Sequence, residues 1–147
     1  MKALPLVLLS LFGAACVANP AKREAPAMPF VGTKWMVVTE RKVEIEQPYL
    51  EFGDGAVSGS TGCNSIMGRY VQDSIGAGAI IFSSIASTKR QCADSLMAIE
   101  DKMLGVLRSS TNVRVTGNRL RIDGSAGALD FVAESTGPLT PPPPTRP

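Results

Sequence analysis

One of the three cysteines of the chain, Cys63, lies in a run of small residues with the sequence GSTGCN, from Gly59 to Asn64. A cysteine in this setting is a candidate nucleophile, metal ligand or half of a disulfide. A nucleophilic thiol needs a base or a positive environment, and the chain has no histidine, so Lys89 and Arg90 are what remain to activate it. A zinc site with two thiols would need carboxylates as further ligands, and the sequence lacks a CxxC spacing.

The first segment, residues 1–15, predicts a secretory signal peptide. Lys2 gives one positive charge, and the run from Ala3 to Ala15 carries none. As a helix this run spans only about 20 Å, whereas a bilayer core is about 30 Å thick. The segment is therefore too short for a comfortable membrane span and is typical of a signal for export.

Small residues stand directly before Cys16, in the order Gly13, Ala14 and Ala15. This pattern resembles the lipobox of bacterial lipoproteins, in which the cysteine takes lipid and becomes the new N-terminus. The residue after Cys16 is Val17 and not aspartate, which resembles lipoproteins sorted to the outer membrane rather than to the inner membrane. We expect an outer-membrane lipoprotein facing the periplasm, anchored through Cys16. The alternative is a soluble periplasmic or secreted protein, cut after Ala15 or Ala18.

The two remaining cysteines, Cys63 and Cys92, predict one disulfide. An exported protein meets an oxidising compartment, and an even pair of cysteines there indicates a bridge. Such a bridge closes a loop of about 30 residues and contributes roughly 3–4 kcal/mol in the chain-entropy model. Gly59 and Gly62 would allow a tight bend. On this interpretation GSTGCN is a structural corner rather than an active site.

Charge and composition exclude some classes of partner. Fifteen basic and 13 acidic residues leave a net charge of +2, and no basic run resembles a phosphate-binding footprint. We therefore expect no nucleic-acid partner. The sequence also predicts no metal site and no cofactor.

The folded domain is expected over residues 30–134. The preceding segment, 16–29, is rich in alanine, proline and charge and predicts a flexible tether. The segment that follows, 135–147, contains the run PPPP and predicts a disordered proline-rich tail with polyproline II character.

Most signals within the domain are of the strand type. A short β-favouring run begins at Trp35, and Ala79–Phe82 is an apolar run that predicts a buried strand. Residues 49–52 and 56–58 flank the turn Gly53-Asp54-Gly55 and predict a hairpin.

A second predicted hairpin surrounds the turn Gly117-Asn118. It sets Val115 opposite Leu120 and Val113 opposite Ile122 on one face. Arg114 then lies opposite Arg121 on the other face, where like charges need solvent or an acid from elsewhere.

One segment, Ala93–Arg108, predicts a helix. Its apolar stripe falls at spacings of three and four residues, namely Leu96, Ile99, Met103 and Leu107. Asp94 or Ser95 is a candidate cap for the free amides of its first turn. The sequence thus favours a mainly β, α+β domain: a curved antiparallel sheet forming a partly open barrel packed on a single helix.

Several motifs give the chain a likeness to a known family. They are the Gly32-Thr33-Lys34-Trp35 run, the GSTGCN element with Gly68 and Tyr70 after it, and Thr88 and Cys92 before a helix that holds Glu100. Together they resemble the META domain, the domain of the heat-shock protein HslJ-like family.

This resemblance implies a curved barrel with one helix, often exported or lipid-anchored in bacteria, with no established enzymatic activity and no catalytic residues. It associates the chain with stress tolerance and envelope integrity. It also implies a structural motif of Gly59, Gly62, Asn64, Gly68, Tyr70, Thr88 and Glu100. The expected polar network within that motif consists of Asn64, Tyr70, Thr88 and Glu100.

Three functions are therefore carried forward. The first is a non-enzymatic envelope protein tethered at Cys16, with an unknown protein partner. The second is a small carrier that holds a lipid or another apolar ligand in the barrel, lined by Ile80, Phe82, Val113, Val115, Leu120 and Phe131. The third and least favoured is an enzyme that uses the Cys63 thiol.

Overall fold

The computed structural model describes residues 26–40 and 46–134. Within these ranges the elements are β1 Lys34–Val37, β2 Tyr49–Phe52, β3 Ala56–Ser60, β4 Ser65–Ser74, β5 Ala77–Ser87, α1 Asp94–Ser109, β6 Ser110–Thr116, β7 Arg119–Gly124 and β8 Gly127–Ala133. The predicted order of strands, then a helix, then three strands is confirmed. The signal segment, Cys16, most of the tether and the proline-rich tail lie outside the described residues.

The strands form a closed antiparallel barrel in chain order, since β1 pairs with β8 as well as with β2. Trp35 of β1 lies opposite Leu50 on one side and Ala133 on the other. The predicted mainly β fold with a single helix is confirmed, and the barrel is closed where we expected it to be partly open. Closure matters because it removes the free sheet edges on which other chains could add strands.

The hairpin around Gly117-Asn118 has the predicted register. Val115 lies opposite Leu120, Val113 opposite Ile122, and Arg114 opposite Arg121. The acid expected from elsewhere comes from the neighbouring strand. The guanidinium of Arg121 donates to both carboxylate oxygens of Asp130 at 2.8 and 2.9 Å, and to Asp123 at 2.9 Å.

Large apolar side chains form one core that is shared by the barrel strands and α1. The largest that are fully buried are Trp35, Phe52, Phe131, Leu50, Ile66, Ile80, Met103, Leu107, Leu120, Ile122, Val106 and Val113. The run Ala79–Phe82, which predicts a buried strand, lies within β5 but is buried on one face only. Ile80 and Phe82 point inward, whereas Ala79 and Ile81 are exposed. The reason is that a barrel strand turns alternate side chains to solvent.

The helix α1 packs against β5, β7 and β8 and begins one residue later than predicted. Its buried residues are Leu96, Glu100, Met103, Leu104, Val106 and Leu107. Ile99, which we assigned to the apolar stripe, is only half-buried, and Glu100 takes the inner position instead. The predicted cap at Asp94 or Ser95 is also wrong, because Ala93 is the N-cap and no described side chain bonds the first amides.

The hairpin of β4 and β5 is much longer than the sequence indicates, with strands of 10 and 11 residues. It contains a bulge, because Met67 lies opposite Ala86 and Arg69 opposite Ser83, which leaves one extra residue in β5. Gly68 lies at this bulge, and a Cβ there would overlap the side chain of Ile85. Glycine therefore lets Ile85 cross over β4.

The two ends of the barrel differ. At the N-terminal end, which we define by residues 28–31, 53–55, 74–77 and 117–118, the first described residues enter the fold. The amide of Met28 donates to the carbonyl of Gly117 at 2.7 Å, and the amide of Ala133 donates to the carbonyl of Asn118 at 2.9 Å. Both ends of the described domain therefore leave the barrel together. The opposite, corner end holds the residues 59–64 and the start of α1.

Candidate functional site

The predicted bridge is present, and it joins the corner to the start of the helix. Cys63 and Cys92 form a disulfide with their Cα atoms 6.0 Å apart, across a separation of 29 residues. Cys63 is buried. A sulfur in a disulfide is not a thiolate nucleophile, so this arrangement favours the structural interpretation of the corner over a thiol enzyme.

The side chain of Asn64 is the centre of a buried polar cluster. Its Oδ1 accepts the hydroxyl of Thr88 at 2.7 Å and the amide of Arg90 at 2.7 Å. Its Nδ2 donates to the carbonyl of Arg90 at 3.1 Å and to Oε2 of Glu100 at 2.8 Å. One amide group therefore fastens the corner both to the segment after β5 and to the helix.

Glu100 is the helical part of this cluster. Its Oε2 accepts from Asn64 and from the Thr61 hydroxyl at 2.9 Å, and its Oε1 accepts from the Ser87 hydroxyl at 3.3 Å. Ion pairs elsewhere in the described residues involve Lys34 and Arg121, and no described basic side chain lies within ion-pair distance of Glu100. Among the described residues, the carboxylate is therefore stabilised by neutral donors alone.

Two glycines allow the corner to take this shape. Gly62 has φ +88, in the left-handed region that side chains with a Cβ avoid. Gly59 passes so close to β2 that an added Cβ would overlap the carbonyl oxygen of Tyr49. Together they let the chain turn sharply while the side chains of Thr61 and Asn64 point inward.

The structure places Tyr70 away from the cluster, so the expected network is wrong for this residue. Its hydroxyl donates to the carbonyl of Gly53 at 2.6 Å. Its ring packs edge-on against Phe30 and Phe52, with centroids 5.7 and 5.5 Å apart. Tyr70 thus belongs to an aromatic group at the N-terminal end of the barrel. Asn64, Thr88 and Glu100 do lie together.

Sequence reasoning missed two members of the cluster, Thr61 and Ser87. Thr61 is fully buried, and its Oγ1 also accepts the amide of Asn64 at 2.9 Å. The available signal was Glu100, because it lies four residues after Leu96 and three before Met103, on the inner face of the helix. A carboxylate on that face requires buried donors, and the hydroxyl residues of GSTGCN are near neighbours of Cys63.

The centre of the cluster is closed to substrates, whereas Thr88 at its edge is exposed. Thr61, Asn64 and Glu100 are 0, 1 and 4% exposed, and the contacts above fill their main hydrogen-bonding positions. A general acid or base must come within hydrogen-bond reach of a substrate. The geometry therefore fits a structural clasp between the corner, the strand β5 and the helix.

Replacement of Glu100 tests this interpretation. In Glu100→Gln, one oxygen still accepts from Asn64 and Thr61, and the new amide can donate to Ser87. The change also removes a buried charge that no described cation balances, so we expect the free energy of unfolding to stay within about 1 kcal/mol of the parent. Denaturant unfolding measures this, with Asp101→Asn as the exposed control on the same helix. A loss above about 3 kcal/mol would show that the negative charge itself is required.

Tyr70 predicts an alkaline effect on stability. Burial raises the pKa of its phenol above the ordinary value of 10.0. The Tyr70 phenol therefore keeps its proton in the folded state at a pH where the phenol of the unfolded chain loses it. The stabilisation is complete below the unfolded pKa of about 10 and is lost as pH rises through the higher folded pKa. In Tyr70→Phe the loss of stability at alkaline pH should be smaller than in the parent. At neutral pH the variant should be less stable by about 1 kcal/mol, because the hydrogen bond of the hydroxyl is missing.

Unfolding followed from pH 8 upward, together with absorbance of the tyrosinate form, measures both effects. Tyr49 is the other tyrosine of the chain, so the difference between parent and variant isolates Tyr70. An unchanged slope of stability against pH in the variant would contradict the assignment.

The residues proposed to line a carrier pack on one another. Five of them are buried in a single core cluster, namely Ile80, Phe82, Val113, Leu120 and Phe131, and Val115 packs partly buried against it. This packing favours a filled interior over a ligand-binding barrel.

Among the described residues, no group of three or more His, Cys, Asp or Glu side chains could hold a metal ion. Over the same residues, α1 falls short of the length and apolar content of a membrane-crossing helix.

Known proteins resemble this chain at the level of a family model and of the fold. The model of the META domain matches residues 29–136. No curated protein matches the chain at a significant level. One NMR structure has 20% sequence identity and a TM-score of 0.56, over 68% of this chain and 87% of the other. A second, of a protein from Burkholderia xenovorans, has 19% identity and a TM-score of 0.54, over 90% and 99%. At these identities the two structures are evidence for the fold.

Proposed function

Because this chain belongs to the META domain family, we propose that it is an exported, non-catalytic envelope protein that is held on a membrane by lipid on Cys16. We propose further that it acts in stress tolerance or envelope integrity, from the outer membrane and facing the periplasm. The family supports a non-catalytic domain of the envelope type, and the anchor, the location and the stress role are the proposal.

The disulfide is the observation that carries this proposal. Bridges of this kind persist in oxidising compartments and are rare in the cytosol. With Cys63 and Cys92 joined, Cys16 is the one cysteine of the sequence left over. A leftover cysteine in an exported chain calls for an explanation, and lipidation directly after the small residues 13–15 supplies one.

The clasp supports the non-catalytic part of the proposal. Of the polar residues that match the family motif, Asn64 and Glu100 are buried and bonded to one another, and Thr88 at the edge of the cluster donates to Asn64. We therefore infer that function resides on the outer surface of the barrel.

Mass spectrometry of the mature chain, purified from membranes, tests the anchor directly. The proposal expects an acylated Cys16 as the first residue, with Cys63 and Cys92 protected from alkylation until reductant is added. A chain that begins at Asn19, or one with a free Cys16, would end the lipoprotein proposal. Two alkylated cysteines in the domain without reductant would instead revive the thiol enzyme.

A deletion strain tests the stress role. We expect sensitivity to one or more envelope stresses, heat or antibiotics, and recovery when the full chain is restored. Restoration with Cys16→Ser serves as the matched control, because it keeps the domain and its disulfide while removing the anchor. Full recovery of stress resistance with Cys16→Ser would show that the function does not require the lipid anchor.

A further inference from the structure

Exposed apolar side chains gather at the N-terminal end of the barrel. Ile75, in the turn between β4 and β5, is 78% exposed, and Val71, near the end of β4, is 68% exposed. Val31 is exposed as well, and an open groove lined by Val31, Val71 and Ile75 among others joins them into one surface. We call these three residues the apolar tip. An exposed apolar group of this kind marks a contact surface more often than a scattered single residue does.

The position of the apolar tip relates it to the proposed anchor. The described domain begins at Pro26, only ten residue steps after Cys16. A fully extended chain gains at most about 3.3–3.6 Å per residue, so this end of the barrel stays within about 35 Å of an anchored Cys16. The corner end lies further away by the length of β4. The tether thus limits the distance of the N-terminal end from the membrane more tightly than that of the corner end.

The charges around the tip indicate what kind of contact it can make. Arg69 and Asp73 are exposed on β4 itself, Arg114 is exposed on β6, and Asp54 is exposed in the turn between β2 and β3. Both signs are present, so the surface has no single-signed field to select an anionic or cationic partner. An apolar contact that depends little on lipid charge fits this mixture.

A second protein copy fits the tip less well. A stable protein interface usually involves about 20–30 residues on each side, whereas the tip has three large side chains. A lipid surface requires no matching shape, and a weak apolar contact is strengthened when a tether raises its effective concentration.

We propose that the apolar tip rests in the interfacial layer of the membrane, so that the barrel sits on the bilayer by its N-terminal end. This inference rests on the proposed lipid at Cys16. Ile75, Val71 and Val31 contact lipid, and the corner end with its disulfide points away from the bilayer.

Tryptophan fluorescence in vesicles tests the orientation. Ile75→Trp is placed in the full chain, expressed with its own N-terminal segment and purified from membranes. The protein is reconstituted into phosphatidylcholine vesicles whose acyl chains carry bromine, a quencher of tryptophan emission. The natural Trp35 is fully buried, and the parent protein gives its background.

Met67→Trp is the matched control. Met67 is on β4, the strand that leads into the turn with Ile75, and is 61% exposed. It lies eight residues before Ile75, or about 25 Å along an extended strand. We expect emission from the Ile75→Trp protein to be quenched several-fold more strongly than emission from the Met67→Trp protein. The same ratio should hold when part of the phosphatidylcholine is replaced by an anionic lipid.

Flotation of the vesicles before the measurement separates the two proposals. A chain that does not float with vesicles lacks the anchor, which overturns both the proposed function and this inference. A chain that floats but shows equal quenching at both positions keeps its anchor and overturns the orientation. The emission of the Ile75→Trp protein could instead respond more strongly to the number of protein molecules per vesicle than to the bromine content of the lipid. That result would assign the tip to contact with a second copy and would also overturn the lipid contact.

Discussion

Replacing both Cys63 and Cys92 with alanine is expected to lower the free energy of unfolding by about 3–4 kcal/mol. The bridge spans 29 residues, and in the chain-entropy model a loop of that length restricts the unfolded chain by about this amount. A domain of this size has a total stability of only about 5–15 kcal/mol. The bridge is therefore expected to account for a large share of it.

Denaturant unfolding of the full chain, with and without reductant, measures the effect. Reductant should bring the parent close to the double variant and should leave the double variant unchanged. The variant with both alanines therefore serves as its own control against other effects of the reductant. A parent protein whose unfolding midpoint does not respond to reductant would contradict the assigned weight of the bridge.

Replacing Asn64 with alanine is expected to cost about 3–5 kcal/mol, as the sum of buried groups that lose their partners. The change removes the acceptor of the Thr88 hydroxyl and of the Arg90 amide, and the donor to Glu100. Asn64 is only 1% exposed, so water cannot easily replace the lost hydrogen-bond partners.

Asn64→Asp sharpens this experiment, because it keeps the size of the side chain. It retains the acceptor for Thr88 but sets an oxygen against Oε2 of Glu100, where the parent has a 2.8 Å hydrogen bond. Two buried carboxylates in contact repel one another, so we expect this variant to be at least as unstable as Asn64→Ala.

The double variant Asn64→Asp with Glu100→Gln should recover part of the lost free energy of unfolding. The amide at position 100 can then donate to the carboxylate at position 64, in the reverse of the parent hydrogen bond. Asn112→Ala, at an exposed position of β6, is the surface control and should stay within about 0.5 kcal/mol of the parent. Additive losses in the pair, with no recovery, would show that Asn64 and Glu100 do not act through their hydrogen bond.

Local sequence signals were sufficient for the regular parts of this fold. The turn Gly117-Asn118 determined the register of β6 and β7, since a two-residue turn leaves little choice of pairing. The apolar spacing of residues 96–107 gave the helix to within one residue at its start. The disulfide followed once Cys16 was set aside for the expected lipid, because the two remaining cysteines can pair in only one way.

The features that were missed depend on contacts distant in sequence. β4 has few β-branched residues and contains Gly68, so propensity does not reveal it, and only its neighbours on both sides make it a strand. Barrel closure depends on the four-residue β1 meeting β8, nearly 100 residues later. Local pattern does not encode such a pairing.

The polar cluster was predicted in part for the same reason. Family motifs brought Asn64, Thr88 and Glu100 to attention, and the three do meet. Tyr70 follows Asn64 by only six residues, but those residues run along β4 toward the other end of the barrel. Proximity in sequence therefore misled where an extended strand separates the two side chains.

The two ends of the described domain lie together beside Gly117 and Asn118, so a short linker between them would leave the pairing of the strands unchanged. A circular permutant could join the region of Glu134 to that of Pro26 through a short linker and begin instead at an exposed turn such as Ser125-Ala126. Domains with adjacent ends at the surface commonly tolerate such rearrangement. The same eight strands would then close in the same order, with the new ends emerging on the helix side.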